Sequence, residues 1–356
     1  MERIRFERSV EKAAFFSPLA GMEFAEQIIE VRRDPLTGMT AVASSELATK
    51  EQTFYGTTDW EYADELARKS REGCFFCPEK VMETTPRYPE DVVAGGRLQR
   101  GRALVFPNLF PLAALHAVIT YPDLHFLRPS QFTPHLVEEG LGAAVDFAAR
   151  AERACDGLEH LELCCNHMLP AGASLVHPHF QMFGGPAVPW LLRLLWERAE
   201  AFQVEHGVPY WRALVDEETE RGERFIAAEA GCTWLAPFAP SGGREVIAVL
   251  PGFGRIAELG GEQVAALAAG LSKVLAWYER EGLSAFNFTL GGGPLSAVAG
   301  HAVAGHAVTL RIIARSAFRH EYRTDDYFLQ KQLGGELIFI TPEEIAATLR
   351  PGFAAV

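Results

Sequence analysis

The chain has 356 residues, 48% of them hydrophobic and 22% charged, with 46 acidic side chains against 33 basic ones and a formal net charge of −13. This is a composition able to build more than one core, and it excludes a membrane protein: the longest apolar stretches, such as residues 104–110, fall far short of a bilayer span. The acidic balance argues against nucleic acid as a partner, because phosphate backbones need a cationic surface, although a single nucleotide can be met by local donors.

Residues 16–53 read as strand, turn and strand, with apolar flanks around Asp34-Pro35-Leu36-Thr37-Gly38. Residues 56–72 are polar and aromatic, a loop or short helix. Leu104-Val105-Phe106 and Ala117-Val118-Ile119-Thr120 read as buried strands on either side of a proline-rich corner at 107–111. Thr133-Pro134 opens an alanine-rich helix to about Cys155, with Thr as cap and Pro at the first helical position. A strand at 161–165, a small-residue loop at 172–174 and a strand at 176–183 follow.

An amphipathic helix at 189–202 leads to a junction at Gly207-Val208-Pro209. Beyond it the order is comparable: strands at 225–229 and 245–249, a long helix at 261–281, and strands at 286–290 and 308–315. Thr341-Pro342-Glu343-Glu344 has the layout of a capping box and starts the last helix. Strand pair, long helix, strand, glycine-rich loop and His-bearing strand thus occur twice, which implies duplication without a residue-level repeat.

Six cysteines in so long a chain do not make a disulfide framework. We therefore expect a reducing cytoplasm and no secretory leader, and close cysteine pairs invite a metal reading. Cys74-Phe75-Phe76-Cys77 is such a pair, open by itself to a redox dithiol, half a zinc site or coincidence. Pro78 and the polar stretch after it do not resemble the helix start of a redox pair. Zinc needs four ligands; His177 is the natural third, and His125 or His116 can supply the fourth.

The most informative segment is Gly172-Ala173-Ser174-Leu175-Val176-His177-Pro178-His179-Phe180-Gln181. On a strand, alternation projects His177, His179 and Gln181 from one face and turns Val176, Phe180 and Met182 to the core. Two imidazoles and an amide on an otherwise apolar strand are costly to bury without partners. A neutral imidazole at His179 can attack phosphorus and later leave from the phosphoramidate, a two-step transfer. Gln181 offers an NH2 donor with no titratable group, able to hold phosphoryl oxygens without relaying protons to water. Ser174 and the amides around Gly172 and Ala173 suit a second phosphate. The combination favours transfer to another phosphate over hydrolysis.

These residues resemble the galactose-1-phosphate uridylyltransferase family, the transferase branch of the histidine-triad superfamily. The resemblance is carried, in order, by Arg33-Asp34-Pro-Leu-Thr-Gly38, Cys74-Phe-Phe-Cys77-Pro with Thr85-Pro86, Phe106-Pro-Asn108-Leu-Phe110-Pro111, His116-Ala-Val with Pro122-Asp-Leu-His125, Asn166, and the segment from Gly172 to Gln181. It implies an α+β fold of two histidine-triad-like halves, each an antiparallel half-barrel sheet packed with a long helix. Residues 1–205 would hold the zinc site and active-site strand, and residues 206–356 would contribute to the sugar-phosphate pocket and a homodimer.

The resemblance further implies one structural zinc per chain on Cys74, Cys77, His125 and His177, and a covalent nucleotidyl intermediate on His179 whose phosphoryl oxygens Gln181 binds. Asn108, Phe110 and Asn166 would lie near the nucleoside, and Ser174, with Gly172 and Ala173, at the departing phosphate. The implied reaction is ping-pong transfer of a nucleoside monophosphate, UMP preferred, between a nucleoside diphosphate sugar and a sugar 1-phosphate. The alternatives are a phosphorylase of ADP-sugars or dinucleoside polyphosphates, and a non-catalytic zinc-containing nucleotide-binding module.

The chain departs from the family pattern at several positions. Leu109 replaces an acidic residue of the base corner, and Leu47 an arginine, with Lys50 nearby. His306-Ala-Val308 and Gly291 stand where some members bind a further metal, so no second metal is expected. Arg311, Arg315 and Arg319 would face sugar phosphate or be solvated or paired with carboxylates, and Tyr327, Gln330 and Gln332 fall at sugar-contacting places. Gly291-Gly292-Gly293-Pro294 reads as a plain loop, and Trp190, Trp196, Tyr210 and Trp211 as core or interface. Cys164-Cys165 read as buried thiols, and His301 and His306 as polar residues of a loop or strand.

Overall fold

A computed structural model of the chain describes residues 4–295 and 305–354. An N-terminal segment holds β1 (Glu7–Ser17), β2 (Glu23–Arg33), β3 (Thr40–Ala43), α1 (Ser45–Ala48), α2 (Glu51–Phe54), α3 (Trp60–Ser70) and α4 (Val81–Thr84). A first unit follows: β4 (Leu98–Arg100), β5 (Ala103–Pro107), β6 (Leu115–Thr120), α5 (Pro134–Ala154), β7 (His160–His167) and β8 (His179–Gly185). Helices α6 (Trp190–His206) and α7 (Tyr210–Arg221) lead to a second unit of the same order. It comprises β9 (Phe225–Glu229), β10 (Cys232–Leu235), β11 (Val246–Leu250), α8 (Gly261–Arg280), β12 (Phe286–Gly291) and β13 (Val308–Ala314). β14 (Gly335–Ile338) and α9 (Pro342–Ala354) complete the described chain.

The two units form one ten-stranded antiparallel sheet in the order β4-β5-β6-β8-β7-β12-β13-β11-β10-β9. The second half of that order is the first reversed, so the duplication expected from the element order becomes a pseudo-twofold arrangement about the β7–β12 seam. Helices α5 and α8 pack side by side. Thr133 caps α5 by accepting the Leu136 N–H, with Pro134 at the first position. Alternation divides the sheet: Leu163, Cys165, Phe180, Met182, Phe288, Leu290, Leu310 and Ile312 join the core with the two helices. Gln181, Cys164, Thr289 and Arg311, cross-strand partners in succession, line the opposite face.

A second sheet, β1-β2-β3-β14, combines the N-terminal hairpin with a parallel β3–β14 pair from the far end of the chain. The expected turn Asp34–Gly38 joins β2 to β3, the Asp34 carboxylate accepting the Leu36 and Thr37 N–H groups. The expected second strand stops at Ala43, because Ser44 accepts the Leu47 N–H and starts a helical turn instead. The strand expected at 176–183 begins at His179 and runs to Gly185; Pro178 has no N–H for the ladder, and its carbonyl accepts the Thr120 hydroxyl. Val176 is buried with Met168, Ala171 and Phe318 rather than with Phe180 and Met182.

Other expectations resolve residue by residue. Cys164 and Cys165 lie on opposite faces, Cys165 in the core and Cys164 part-exposed beside Gln181; burial raises both thiol pKa values. Tyr210 and Trp211 pack with Leu235, Ile247 and Val249, whereas Trp190 is 75% exposed. Residues 207–209 connect two helices: Gly207 ends α6 in the left-handed region and Pro209 precedes α7. Among the described residues no helix is long and apolar enough to cross a membrane.

Candidate functional site

Four sequence-predicted ligands converge from three places. Cys74 and Cys77 lie between α3 and α4, His125 follows the turn after β6, and His177 precedes β8. His177 Nδ1 lies 3.3 Å from Cys74 Sγ and 3.8 Å from Cys77 Sγ, and His125 Nδ1 lies 3.3 Å from Cys77 Sγ. All four donor atoms fall within 4.8 Å of one another. A tetrahedral ion with ligand distances of about 2.0 Å to nitrogen and about 2.3 Å to sulfur has edges of roughly 3.5 Å, so the spacing fits.

The surroundings fix both rings for coordination through Nδ1. His177 Nε2 donates to the Tyr121 carbonyl over 3.1 Å. The Ser70 hydroxyl donates to the Leu66 carbonyl, so its oxygen accepts from His125 Nε2 at 3.1 Å. Each neutral ring then carries its proton on Nε2 and presents the Nδ1 lone pair to the thiols. Burial lowers the pKa of His125 and brings that of His177 down to about 4, while burial and the neighbouring Cys74 raise Cys77 to about 11. Two soft thiols and two imidazoles without a counter-charge are a donor set for a borderline-soft divalent cation.

His179 opens β8 and is 7% exposed. Its Nδ1 donates to the His177 carbonyl over 2.8 Å, which leaves the lone pair of the neutral ring on Nε2. Burial lowers its pKa, opposed by that hydrogen bond, which favours the neutral ring. Phe76, held between the two cysteines, packs edge-on against both His177 and His179.

His179 and Gln181 line a cavity of about 620 Å³ together with Phe75, Phe76, Phe106, Asn108, Phe110 and Ser174. Leu109, 62% exposed, also borders it. Gln181 Oε1 accepts from His116 Nε2 at 2.9 Å and from Asn108 Nδ2 at 3.4 Å. Both hydrogen-bonding directions of that oxygen are thus taken, and the amide NH2 is left for the cavity. His116 is therefore a partner of Gln181 and no member of the metal cluster.

Gly172, in the left-handed region, and Ala173 form the turn that leads to Ser174. Asn287 of the second half donates to Asn166 Oδ1 over 2.6 Å and to the Ala171 carbonyl over 2.9 Å, tying β7 to this turn across the seam. Arg315 Nη1 donates to Asn287 Oδ1 over 2.7 Å and is itself held by Asp325 and Asp326.

Other residues singled out in the sequence lie elsewhere. Arg311 pairs with Glu245 at 2.8 Å, so Arg311 and Arg315 take the carboxylate-paired reading, while Arg319 packs its guanidinium over Gly56. Leu47 lies in α1 and Lys50 immediately before α2. Gln330 bonds Glu336, and Tyr327 packs on Phe54. Gly293 donates its N–H to the Gly254 carbonyl and is not free to cradle phosphate. His306 Nε2 faces Glu200 at 3.2 Å, and His301 lies outside the described residues.

Sequence reasoning missed Ser70, Asn287 and the pairing of His116 with Gln181. Ser70 and Asn287 carry no local signal, because their roles arise from contacts 55 and 121 residues away in the chain.

No protein-family model matches the chain. An uncharacterised protein of Archaeoglobus fulgidus is 27% identical over 349 residues, covering 98% of each chain. Among solved structures, an ADP-glucose phosphorylase from Arabidopsis thaliana with bound ADP-glucose is similar with a TM-score of 0.69 at 17% identity, over 90% of this chain and 98% of that one. A uridylyltransferase structure is similar with a TM-score of 0.63 at 20% identity, over 90% of this chain and 97% of that one. The architecture is thus the α+β histidine-triad fold. More particularly, its fold is similar to those of a GalT-like protein and an ADP-glucose phosphorylase of Arabidopsis thaliana and of a uridylyltransferase.

Proposed function

We propose that the protein is a nucleotidyltransferase that moves a nucleoside monophosphate, UMP preferred, between a nucleoside diphosphate sugar and a hexose 1-phosphate. The observation that carries this reading is the committed Nδ1–H of His179, which leaves Nε2 as a lone-pair donor in a cavity that also receives the Gln181 amide. His179 Nε2 attacks the α-phosphorus, a P–N bond forms, and the P–O bond breaks with its electron pair leaving on the sugar 1-phosphate. A second sugar 1-phosphate oxygen then attacks the same phosphorus, and the P–N pair returns to Nε2.

Gln181 NH2 donates to the non-bridging oxygens as charge builds on them, and Ser174 with the amides of Gly172 and Ala173 receives the departing phosphate. Asn108, Phe110 and Asn166 contact the nucleoside. No carboxylate borders the cavity among the described residues, and once His179 Nε2 is bonded to phosphorus no lining group is left as a base for water, which favours transfer over hydrolysis.

Cys74, Cys77, His125 and His177 hold one structural zinc, consistent with four protein donors that leave no open position. Bound there, zinc supplies positive charge that keeps both thiols deprotonated and anchors the His177 backbone whose carbonyl orients His179. We assign the zinc site and active-site strand to residues 1–205 and a contribution to the sugar-phosphate pocket to residues 206–356. A homodimer is part of this reading, supported by the projecting β1–β2 hairpin with Val10, Phe16, Leu19, Met22 and Phe24 all more than 60% exposed. β3 pairs with β2 only at residues 30–33, so the rest of the hairpin is two-stranded, and a two-stranded stretch by itself is marginal in water.

A phosphorylase of ADP-sugars or dinucleoside polyphosphates, with phosphate as acceptor, is the second reading. The aromatic slot of Phe75, Phe76, Phe106 and Phe110 accommodates it, because such walls stack a purine as readily as a pyrimidine. Incubation with UDP-glucose or ADP-glucose labelled at the α-phosphate tests both. Acid-labile, base-stable label on the protein, lost in His179→Ala, supports the covalent step, and the nucleotide that labels identifies the base. Absence of label from either would leave the non-catalytic module as the reading.

A further inference from the structure

We infer that His116 is a positioning residue whose ring, locked in one tautomer by a backbone N–H, sets which end of the Gln181 amide enters the cavity. The inference rests on the reading of Gln181 as the group that binds the phosphoryl oxygens.

The argument starts from donors that cannot be reversed. Leu112 N–H points at His116 Nδ1 over 3.0 Å, so that nitrogen is an acceptor and carries no proton. A neutral ring must then hold its proton on Nε2, and a doubly protonated ring would set two N–H groups against each other. Nε2 therefore donates, and what it faces at 2.9 Å is Gln181 Oε1. Asn108 is pinned in the same way: Phe110 N–H donates to its Oδ1 over 2.9 Å, which turns Nδ2 toward Gln181.

Asn108 Nδ2 and His116 Nε2 lie 3.2 Å apart, too close for two donors unless an acceptor is shared, and Oε1 is that acceptor. The reversed amide would place NH2 against both donors. It would also present a carbonyl oxygen to the phosphoryl group, replacing attraction by repulsion. His116 itself is only 6% exposed, edge-on to Phe183, and holds no place among the cavity-lining residues. It acts through Gln181.

Two substitutions separate the tautomer's role from packing. In His116→Asn the side-chain oxygen reaches the Nδ1 position and still accepts the Leu112 N–H, but no donor reaches Gln181. In His116→Gln the amide nitrogen reaches the Nε2 position and the donor is restored. We expect His116→Asn to lower kcat roughly 10- to 100-fold with KM for the nucleotide sugar within about twofold, and His116→Gln to stay within about threefold of wild type in both. Ring nitrogen-15 shifts of wild-type His116 should show the proton on Nε2 and none on Nδ1, a readout that needs neither turnover nor a variant.

A proton on Nδ1, or equal kcat for the two variants in a protein whose wild type takes the label, would overturn this inference alone. A wild type that takes no label would overturn the reading of the site and, with it, the task given to Gln181.

Discussion

His179 donates its Nδ1–H to the backbone carbonyl of His177 over 2.8 Å, while the His177 ring stands 3.3 Å from Cys74 Sγ. One residue thus serves two neighbours by two different groups, its imidazole in the thiol cluster and its carbonyl on the candidate nucleophile. Pro178 between them removes an N–H and stiffens the link. An ion held by the cluster would therefore anchor the backbone whose carbonyl sets the tautomer of the ring that faces the cavity.

Loss of the ion should be felt at the site. Freshly purified protein should contain about one zinc per chain, and Cys74→Ser or chelation should lower that content and reduce labelling of His179 at least tenfold. Elemental analysis decides this: near-zero metal in the wild type ends the structural-zinc assignment.

Ser70 is expected to matter although it reaches the cluster only through His125. With Ser70→Ala, His125 Nε2 loses its acceptor, and zinc affinity should drop roughly 10- to 100-fold with little change in metal-loaded turnover. Competition with a colorimetric chelator measures it; unchanged affinity would remove Ser70 from the site.

Gln181→Ala should lower kcat by about 10²- to 10³-fold, the scale for loss of one donor at an oxyanion. Single-turnover labelling resolves that step from product release, and a variant labelled at the wild-type rate would discharge Gln181 from the reaction.

Asn287 belongs to the second half yet holds Asn166 and the Ala171 carbonyl. Asn287→Ala should cost about 1–3 kcal/mol of stability and reduce kcat/KM roughly tenfold through a loosened turn before Ser174. Denaturant unfolding and steady-state kinetics together test it; a stability loss without a kinetic one would make Asn287 merely structural.

Glu336 gives stability a pH dependence. Burial raises its folded pKa from 4.5 to about 7, against hydrogen bonds from Leu337 and Gln330. Between those values the unfolded chain ionises while the folded one keeps its proton, so unfolding releases a proton and stability falls as pH rises. Above about 7 the full penalty applies, on the order of 3 kcal/mol. Glu336→Gln should flatten that part of the stability profile and raise stability at alkaline pH. An unchanged slope in pH-dependent melting would refute it.

Several elements were legible because their causes are local. Thr133-Pro134 caps α5 as read, Thr341 and Glu344 exchange the reciprocal hydrogen bonds of a capping box, and Asp34 closes its turn with its own carboxylate. β1 was not legible, since its residues are exposed on both faces and carry no alternation of apolar and polar. The pairing of β14 with β3 was hidden for another reason: nearly 300 positions separate the partners, and no local pattern encodes such a register.

The amino-acid string by itself determined which side chains were available for chemistry. Cysteines three apart share one loop, and alternation puts His179 and Gln181 on one face of whatever strand forms. Tertiary structure alone placed His116 beside Gln181 while His125 joined the thiols, set the outward end of the Gln181 amide and brought Asn287 to the turn before Ser174. These choices depend on distances across strands and on the direction of backbone N–H groups, which exist only after the sheet has closed.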